Sequence, residues 1–270
     1  MIDFSRAQRG AMLTARLKQA CSLILVGMIP VISGLLILYW QVDRSLTRDS
    51  EQIGKRAIAQ LDRTLERADD LTARGAALVG RECSEILEQM RRLVTSYPAV
   101  RSMVIGNQQQ FYCGTELGAV DTPINDEMST ASRLLLRPGS TPNPDHPSLV
   151  FRRFEGNYTL NAVIDTQVLA HVLSLVRTGA DLLLEQNGRF LDEGHKLAAY
   201  SYDSHSEHHV VQISALYGYR VHSGYPPGYS LAAFKTQAWP LLGTLLLLGV
   251  VTSGACHLIA RQKKPQSRRA

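Results

Sequence analysis

Residues 19–42 read QACSLILVGMIPVISGLLILYWQV, a run with no charged side chain. A helix needs about 20 predominantly apolar residues to cross a hydrocarbon core, so this run predicts a transmembrane helix. A second uncharged run, TQAWPLLGTLLLLGVVTSGACHLIA at residues 236–260, predicts another. Basic residues precede the first run, as they would in a cleaved signal peptide. The run nevertheless exceeds the roughly 7–15 apolar residues of a signal core, and it offers no small-x-small cleavage site before Gln41. It finishes in Leu38-Tyr39-Trp40, the aromatic ending expected at a bilayer interface. A retained anchor is therefore expected, with Pro30 tolerated inside the span.

Charge placement around these runs gives an orientation. Residues 1–18 and 261–270 together hold nine basic residues and one acid, Asp3. Residues 43–235 hold 20 basic and 23 acidic residues. The overall charge of +5 is thus a topology signal, and it does not call for nucleic acid as a partner. The expected layout is a basic cytoplasmic N-terminus (1–18), a first span (19–42), an exported domain (43–235), a second span (236–260) and a basic cytoplasmic tail (261–270). The tail doubles as a stop-transfer flank that can touch anionic lipid. The expectation is an inner-membrane protein with two spans, both termini in the cytoplasm and the central domain held outside it.

The exported region begins with a helix. Leu46, Ser50, Ile53, Ala57, Leu61, Thr64, Ala68, Leu71, Gly75 and Leu78 recur at steps of three and four, continuing directly from the first span. Such a stripe either packs on its own domain or transmits a signal and pairs with a second copy of the chain as a homodimer. A second helix is expected over 83–97, with Ile86, Leu87, Met90, Leu93 and Val94 inward and Pro98 ending it. Strands follow at 100–105 and 110–113 around a Gly106-Asn107 turn, then at 133–136, 149–154, 158–164, 181–185, 210–213 and 219–222. A helix at 166–176 interrupts them, and a Pro/Gly/Asn-rich surface loop spans 137–148. The fold class is α+β: two transmembrane helices flanking one PAS- or Cache-like sensor domain with long N-terminal helices.

Four cysteines divide by location. Cys21 and Cys256 fall in or beside the apolar runs and read as small packing residues. Cys83 and Cys113 lie in the exported region, and in an oxidising compartment two such thiols are expected to pair. They stand in Arg81-Glu82-Cys83-Ser84-Glu85 and, thirty residues on, Phe111-Tyr112-Cys113-Gly114-Thr115.

With these segments the chain resembles the periplasmic CSS-motif domain that precedes an EAL domain in a class of bacterial cyclic di-GMP phosphodiesterases. Cys83-Ser84 falls where that family has the start of its Cys-Ser-Ser motif, and Glu85 replaces the second serine. The resemblance implies redox control. In such proteins the disulfide, made by the periplasmic disulfide-forming machinery, restrains the phosphodiesterase. Its loss releases activity and exposes the domain to periplasmic proteases. Carried over, the pair is Cys83–Cys113, with Ser84 as a neighbouring motif residue.

Closing a loop of about thirty residues contributes roughly 3.6 kcal/mol in the chain-entropy model, against a domain stability of about 5–15 kcal/mol. A purely structural staple in a Cache-like ligand-binding module is the alternative use of the same bond. A third reading is the remnant of a truncated phosphodiesterase.

Other chemistries find little support. Oxidoreductase catalysis normally uses Cys-x-x-Cys, which this spacing does not provide. The run His205-Ser206-Glu207-His208-His209 has ligand types for zinc or copper, but reads as a polar loop, so no metal or other cofactor is expected. There is no Gly-x-Ser-x-Gly elbow and no phosphate-binding glycine loop. No Glu-Ala-Leu tripeptide occurs, and ten residues follow Ala260. The expectation is therefore a non-enzymatic regulator acting through a separate EAL-domain phosphodiesterase.

Overall fold

The structure, a computed structural model, describes residues 3–124, 132–138, 147–192, 197–198 and 206–262. The chain divides into two units, one formed by Met1–Leu46 with Gly228–Ala270 and the other by Thr47–Pro227.

The first unit is built from two helices, the opening part of α1 (Asp3–Gly75) and α4 (Tyr229–Gln262). Both are long and apolar enough to cross a membrane. Pro30 and Pro240 lie inside their helices without ending them. The two helices touch where side chains are smallest. A Cβ on Gly249 would stand 2.5 Å from the Gly27 carbonyl oxygen, and one on Gly27 would stand 3.0 Å from that of Gly249. Ser253 Oγ donates to the Leu23 carbonyl at 3.0 Å. Without a hydrophobic force between helices in lipid, close backbone approach and such bonds hold spans together. At the end of the first run, Tyr39 meets Phe234 edge to face at 5.9 Å. Arg44 lies over the Trp40 ring at 3.9 Å.

In the second unit, every member of the predicted stripe from Ser50 to Leu78 is buried. The stripe therefore packs on its own domain. After α1 come a 3-10 turn (Ala76–Leu78) and α2 (Cys83–Thr95). Ile86 and Met90 of α2 are fully buried, and Leu87, Leu93 and Val94 are half-buried.

The first sheet takes β1 (Val100–Gly106), β2 (Gln110–Gly114), β3 (Gly118–Pro123), β4 (Leu134–Arg137), β5 (Ser148–Glu155) and β6 (Tyr158–Asp165), in the order β3-β2-β1-β6-β5-β4. Helix α3 (Thr166–Val176), capped by Asp165 accepting from the Gln167 amide at 2.8 Å, leads to the second sheet. There β7 (Asp181–Gln186), β8 (Arg189–Leu191), β9 (Leu197–Ala198), β10 (Glu207–Ile213) and β11 (Arg220–Tyr225) run in the order β10-β11-β7-β8-β9. All pairings are antiparallel.

Each sheet is fastened to a different stretch of α1. Toward the first sheet, Arg153 binds the Asp69 carboxylate and Thr72 Oγ1, while Met103 and Leu160 crowd Gly75. Toward the second, Gln212 Nε2 donates to the Glu51 carbonyl at 2.7 Å and Ser223 Oγ to that of Ser50 at 3.0 Å. Gly54 lets this approach happen, because a Cβ there would lie 3.2 Å from the Gln212 amide group. Arg189 Nη1 ties the sheets to each other by donating to the Leu136 carbonyl at 2.7 Å.

Three of these strands, β3, β8 and β9, have no counterpart in the sequence reading. Helix α2 also ends two residues short of the expected position, where Ser96 caps it by donating its amide to the Leu93 carbonyl at 3.1 Å.

Candidate functional site

Cys83 is the first residue of α2. The turn before it depends on Gly80, whose φ of +76° is left-handed and therefore strained for a residue with a side chain. The Gly80 amide donates to the Tyr112 hydroxyl at 3.1 Å, so the turn is pinned to the residue beside Cys113. Burial raises the Tyr112 pKa, which keeps this hydroxyl protonated. Glu82 is extended, and its carbonyl accepts from the Glu85 and Ile86 amides at 3.0 and 3.3 Å, starting the helix.

Cys113 comes from the other side of the fold. Asn107 Oδ1 accepts from the Gln109 and Gln110 amides, each at 2.8 Å, closing the β1–β2 turn. The register then shifts, pairing Gly106 with Phe111 but Ile105 with Cys113 and Val104 with Gly114. Tyr112 is the extra residue of this bulge. Cys113 consequently shares the helix-facing side with Ile105, while Gly114 joins Val104 on the opposite side.

Cys83 and Cys113 form a disulfide with their Cα atoms 5.3 Å apart. Cys113 is fully buried, Cys83 is 7 % exposed, and Met90 Sδ lies 3.7 Å from Cys113 Sγ. Arg91 Nε reinforces the junction by donating to the Thr115 carbonyl at 3.1 Å. Thr115 in turn accepts on Oγ1 from the Met103 amide at 3.1 Å. Ser84 is exposed and lies outside this packing. Cys21 and Cys256 are free thiols.

The histidine run is not the polar loop expected. Glu207, His208 and His209 open strand β10, and His205 lies outside the described residues. His208 has a φ of 52° at an irregular pairing and shares a hydrogen bond with Thr47 Oγ1 at 2.8 Å. His209 Nε2 is 3.0 Å from His222 Nδ1, and His222 Nε2 is 2.6 Å from Glu185 Oε2. A carboxylate only accepts, so Nε2 of His222 carries a proton. The tautomers of the two rings set which of His209 Nε2 and His222 Nδ1 donates in the bond between them. Burial first, and then the neighbouring His222, lower the His209 pKa. The two rings stack at 5.3 Å, and Phe190 meets His222 edge to face. Among the described residues, no group of three His, Cys, Asp or Glu side chains is placed to hold a metal ion.

The His209–His222–Glu185 chain and the joint between Tyr219 and Asp62 went unnoticed in the sequence, because each joins residues far apart along it. Tyr219 Oη donates to Asp62 Oδ1 at 2.7 Å.

The periplasmic domain of RsbU from Chlamydia trachomatis is similar to this chain, with 11 % identity, a TM-score of 0.51, and coverage of 73 % of this chain and 98 % of that one. An extracellular ligand binding receptor from Desulfohalobium retbaense aligns at 9 % identity and a TM-score of 0.48, over 65 % of this chain and 40 % of that one. The extracellular domain of the putative histidine kinase soHK1S-Z6 gives 10 % identity and a TM-score of 0.44, over 72 % and 99 % of the two chains. The RsbU likeness shows the fold, that of a periplasmic sensor domain flanked here by two candidate spans. No curated protein matches the sequence. Residues 46–238, well over half of the chain, match the CSS motif domain associated with EAL. This chain belongs to the CSS-motif domain family.

Proposed function

We propose that the protein is an inner-membrane redox sensor of cyclic di-GMP signalling, with the Cys83–Cys113 bond as its control element and an EAL-type phosphodiesterase on a separate chain as its output. The observation that carries this reading is the position of the disulfide. It joins the first residue of α2 to the strand beside β1 in a domain whose family is associated with EAL. The charge bias of the flanks supports cytoplasmic termini and a periplasmic domain.

Breaking the bond removes roughly 3.6 kcal/mol of chain-entropy stabilisation, a large share of the about 5–15 kcal/mol that holds a domain together. The loss falls on α2 and on the Gly80 turn, which continues from the α1 helix that carries the first span. Loosening there shifts the balance between two packings of α1, the kind of bistable element that carries a signal. The oxidised state is the restraining one, as the resemblance implies, and the unbonded chain is the one open to periplasmic proteases.

The test uses the full chain in its own membrane. Cyclic di-GMP is measured in cells carrying the wild type, Cys83→Ser, or no copy, each with and without the disulfide-forming machinery. Cys83→Ser and loss of the machinery are expected to lower cyclic di-GMP alike and without additivity, and an EAL protein is expected to co-purify. Unchanged cyclic di-GMP on deletion, together with a chain that purifies alone, defeats the reading.

A further inference from the structure

The two sulfurs of the Cys83–Cys113 bond sit in unlike frames. Cys113 lies within β2, a strand paired on both sides, with Ile105 of β1 opposite it on one flank and Ala119 of β3 on the other. It is fully buried, and its Sγ lies 3.7 Å from Met90 Sδ and 3.9 Å from the Cys83 carbonyl. Cys83 opens α2, is 7 % exposed, and stands between two exposed residues, Glu82 and Ser84. The end of a helix opens at far less cost than a strand paired on both sides.

The same placement separates the two thiols chemically. The first amides of a helix lack an intrahelical acceptor, and with the aligned peptide dipoles they favour negative charge at the N-terminus. Glu82 gives α2 no side-chain cap, and Arg81 and Glu85 are paired with each other at 3.3 Å. The Glu82 carboxylate opposes a second negative charge, but it is exposed and solvent screens it. A thiolate is therefore favoured at Cys83. Cys113, enclosed beside Met90 and Ile105, is held as the neutral thiol.

We propose that Cys83 is the sulfur at which a thiol–disulfide oxidoreductase of the Cys-x-x-Cys class exchanges with this domain, and that Cys113 is the resolving sulfur. The assignment deepens the redox reading above and rests on its exported, oxidisable bond. When the bond is made, the Cys83 thiolate attacks one sulfur of the partner's disulfide, and the partner's other sulfur leaves as a thiolate. Cys113 then gives up its proton and attacks Cys83 Sγ, which breaks the intermolecular bond and releases the partner's first sulfur. Two thiols of this chain are oxidised to one disulfide. The partner's disulfide is reduced to a dithiol, which takes up the two protons. Reduction runs the same path backwards: a partner thiolate attacks Cys83 Sγ, and Cys113 departs and is protonated. The exchange belongs to the stage at which the sheet has formed and the first turn of α2 is still open, since the finished domain leaves little of Cys83 uncovered.

The test uses the full chain in detergent micelles with Cys21→Ala and Cys256→Ala, because both of those thiols are exposed. In that background, Cys113→Ser leaves Cys83 as the single thiol and Cys83→Ser leaves Cys113. Both variants lack the bond, so they compare like for like. Their exchange with oxidised glutathione is followed with and without urea. Cys83 is expected to react at least 10-fold faster than Cys113 without urea, and the two rates to converge in urea. The bonded chain is also treated briefly with reduced glutathione, alkylated and mapped by peptide mass. Glutathione is expected on Cys83 and the alkyl group on Cys113. Where urea leaves both rates unchanged the variants are unfolded, and the mapping on the bonded chain decides. Equal rates in folded variants, or glutathione mainly on Cys113, overturns the proposal. A Cys83 preference in a chain whose deletion leaves cyclic di-GMP unchanged keeps the exchange order and rejects the signalling reading. Equivalent sulfurs with an intact cyclic di-GMP response do the reverse.

Discussion

Tyr219 donates its phenolic proton to Asp62 at 2.7 Å and also reaches the Ile58 carbonyl at 3.1 Å, joining the loop before β11 to the middle of α1. The ring is 2 % exposed, and burial together with Asp62 pushes the phenol far up, so that it stays a donor throughout the physiological range. Ser214 Oγ donates to the same Asp62 oxygen at 2.8 Å. Replacing Tyr219 by Phe keeps the packing and removes one charge-assisted bond, which is expected to cost about 1.5–3 kcal/mol. Urea unfolding of the full chain in micelles would measure the loss, and an unchanged midpoint would show that Ser214 alone satisfies Asp62.

The disulfide carries the second expectation. Cys83→Ser/Cys113→Ser is expected to lose about 3.6 kcal/mol by the loop-closure argument, before relaxation around Met90. Limited proteolysis under native conditions should then cleave the double variant faster than the oxidised wild type. Reductant added during unfolding should bring the wild type down to the same level and leave the variant unmoved.

Acid sensitivity should come from the second sheet. The His209 pKa is lowered in the folded state, so its neutral form is favoured there. Below the unfolded value of about 6.5, the unfolded chain takes up a proton that the folded chain refuses. The stabilisation is thus fully present above about pH 6.5 and is lost as pH falls from there toward the folded pKa. His222, Glu185 and Arg220 face the same network, whereas Asp70, whose pKa is also lowered, contributes only below about pH 4. A melting-temperature profile between pH 7.5 and 5 should slope downward on acidification, and His209→Gln should flatten it. An unaltered slope in that variant would assign the effect elsewhere.

In the unit built from the two long apolar helices, Gly249→Ala and Gly249→Leu are expected to form a graded series. The new Cβ meets the backbone oxygen of Gly27 at 2.5 Å, and a carbonyl oxygen cannot swing aside as a flexible side chain does. The helices must separate, at a cost of about 1–3 kcal/mol for the larger change. Gly243→Ala, where a Cβ meets nothing within 4 Å, is the control. Thermal melts of all three in the same micelles would check the order, and equal losses at both positions would remove the packing argument.

How far the sequence reaches differs from element to element. The α1 stripe was legible because burial on one helical face leaves a 3.6-residue period, and the strands from β4 to β7 were legible because each alternates or runs apolar. Strand β3 is an edge whose outer residues are exposed, and Gly118, Asp121 and Pro123 give it no strand signature. The β7–β8 hairpin did leave a signal, Asn187-Gly188, both left-handed at φ 53° and 72°, which is the preferred two-residue turn. The strand after it, Arg189–Leu191, is simply too short to show a period. The disulfide could be anticipated because the cysteines between the two apolar runs are few and the motif around them is recognisable. The cavity on one face of the first sheet, lined by Val104, Phe111, Val150 and Val163 among others, could not be anticipated, because it exists only once the strands take their register. Nor could the pairing of His209 with His222 or of His222 with Glu185, residues 13 and 37 positions apart.

On the proposed redox reading, the near-complete enclosure of Cys113 gives the disulfide a time axis. Thiol exchange needs a thiolate to approach a sulfur along the bond, and the folded chain closes that approach from the Cys113 side. Each molecule is expected to fix its oxidation state while it folds after export, and to hold it afterwards. The population would then report the oxidising capacity that prevailed during synthesis, averaged over the lifetime of the protein. A reductant pulse much shorter than that lifetime would go unread, while a sustained change would be registered gradually as older molecules are replaced.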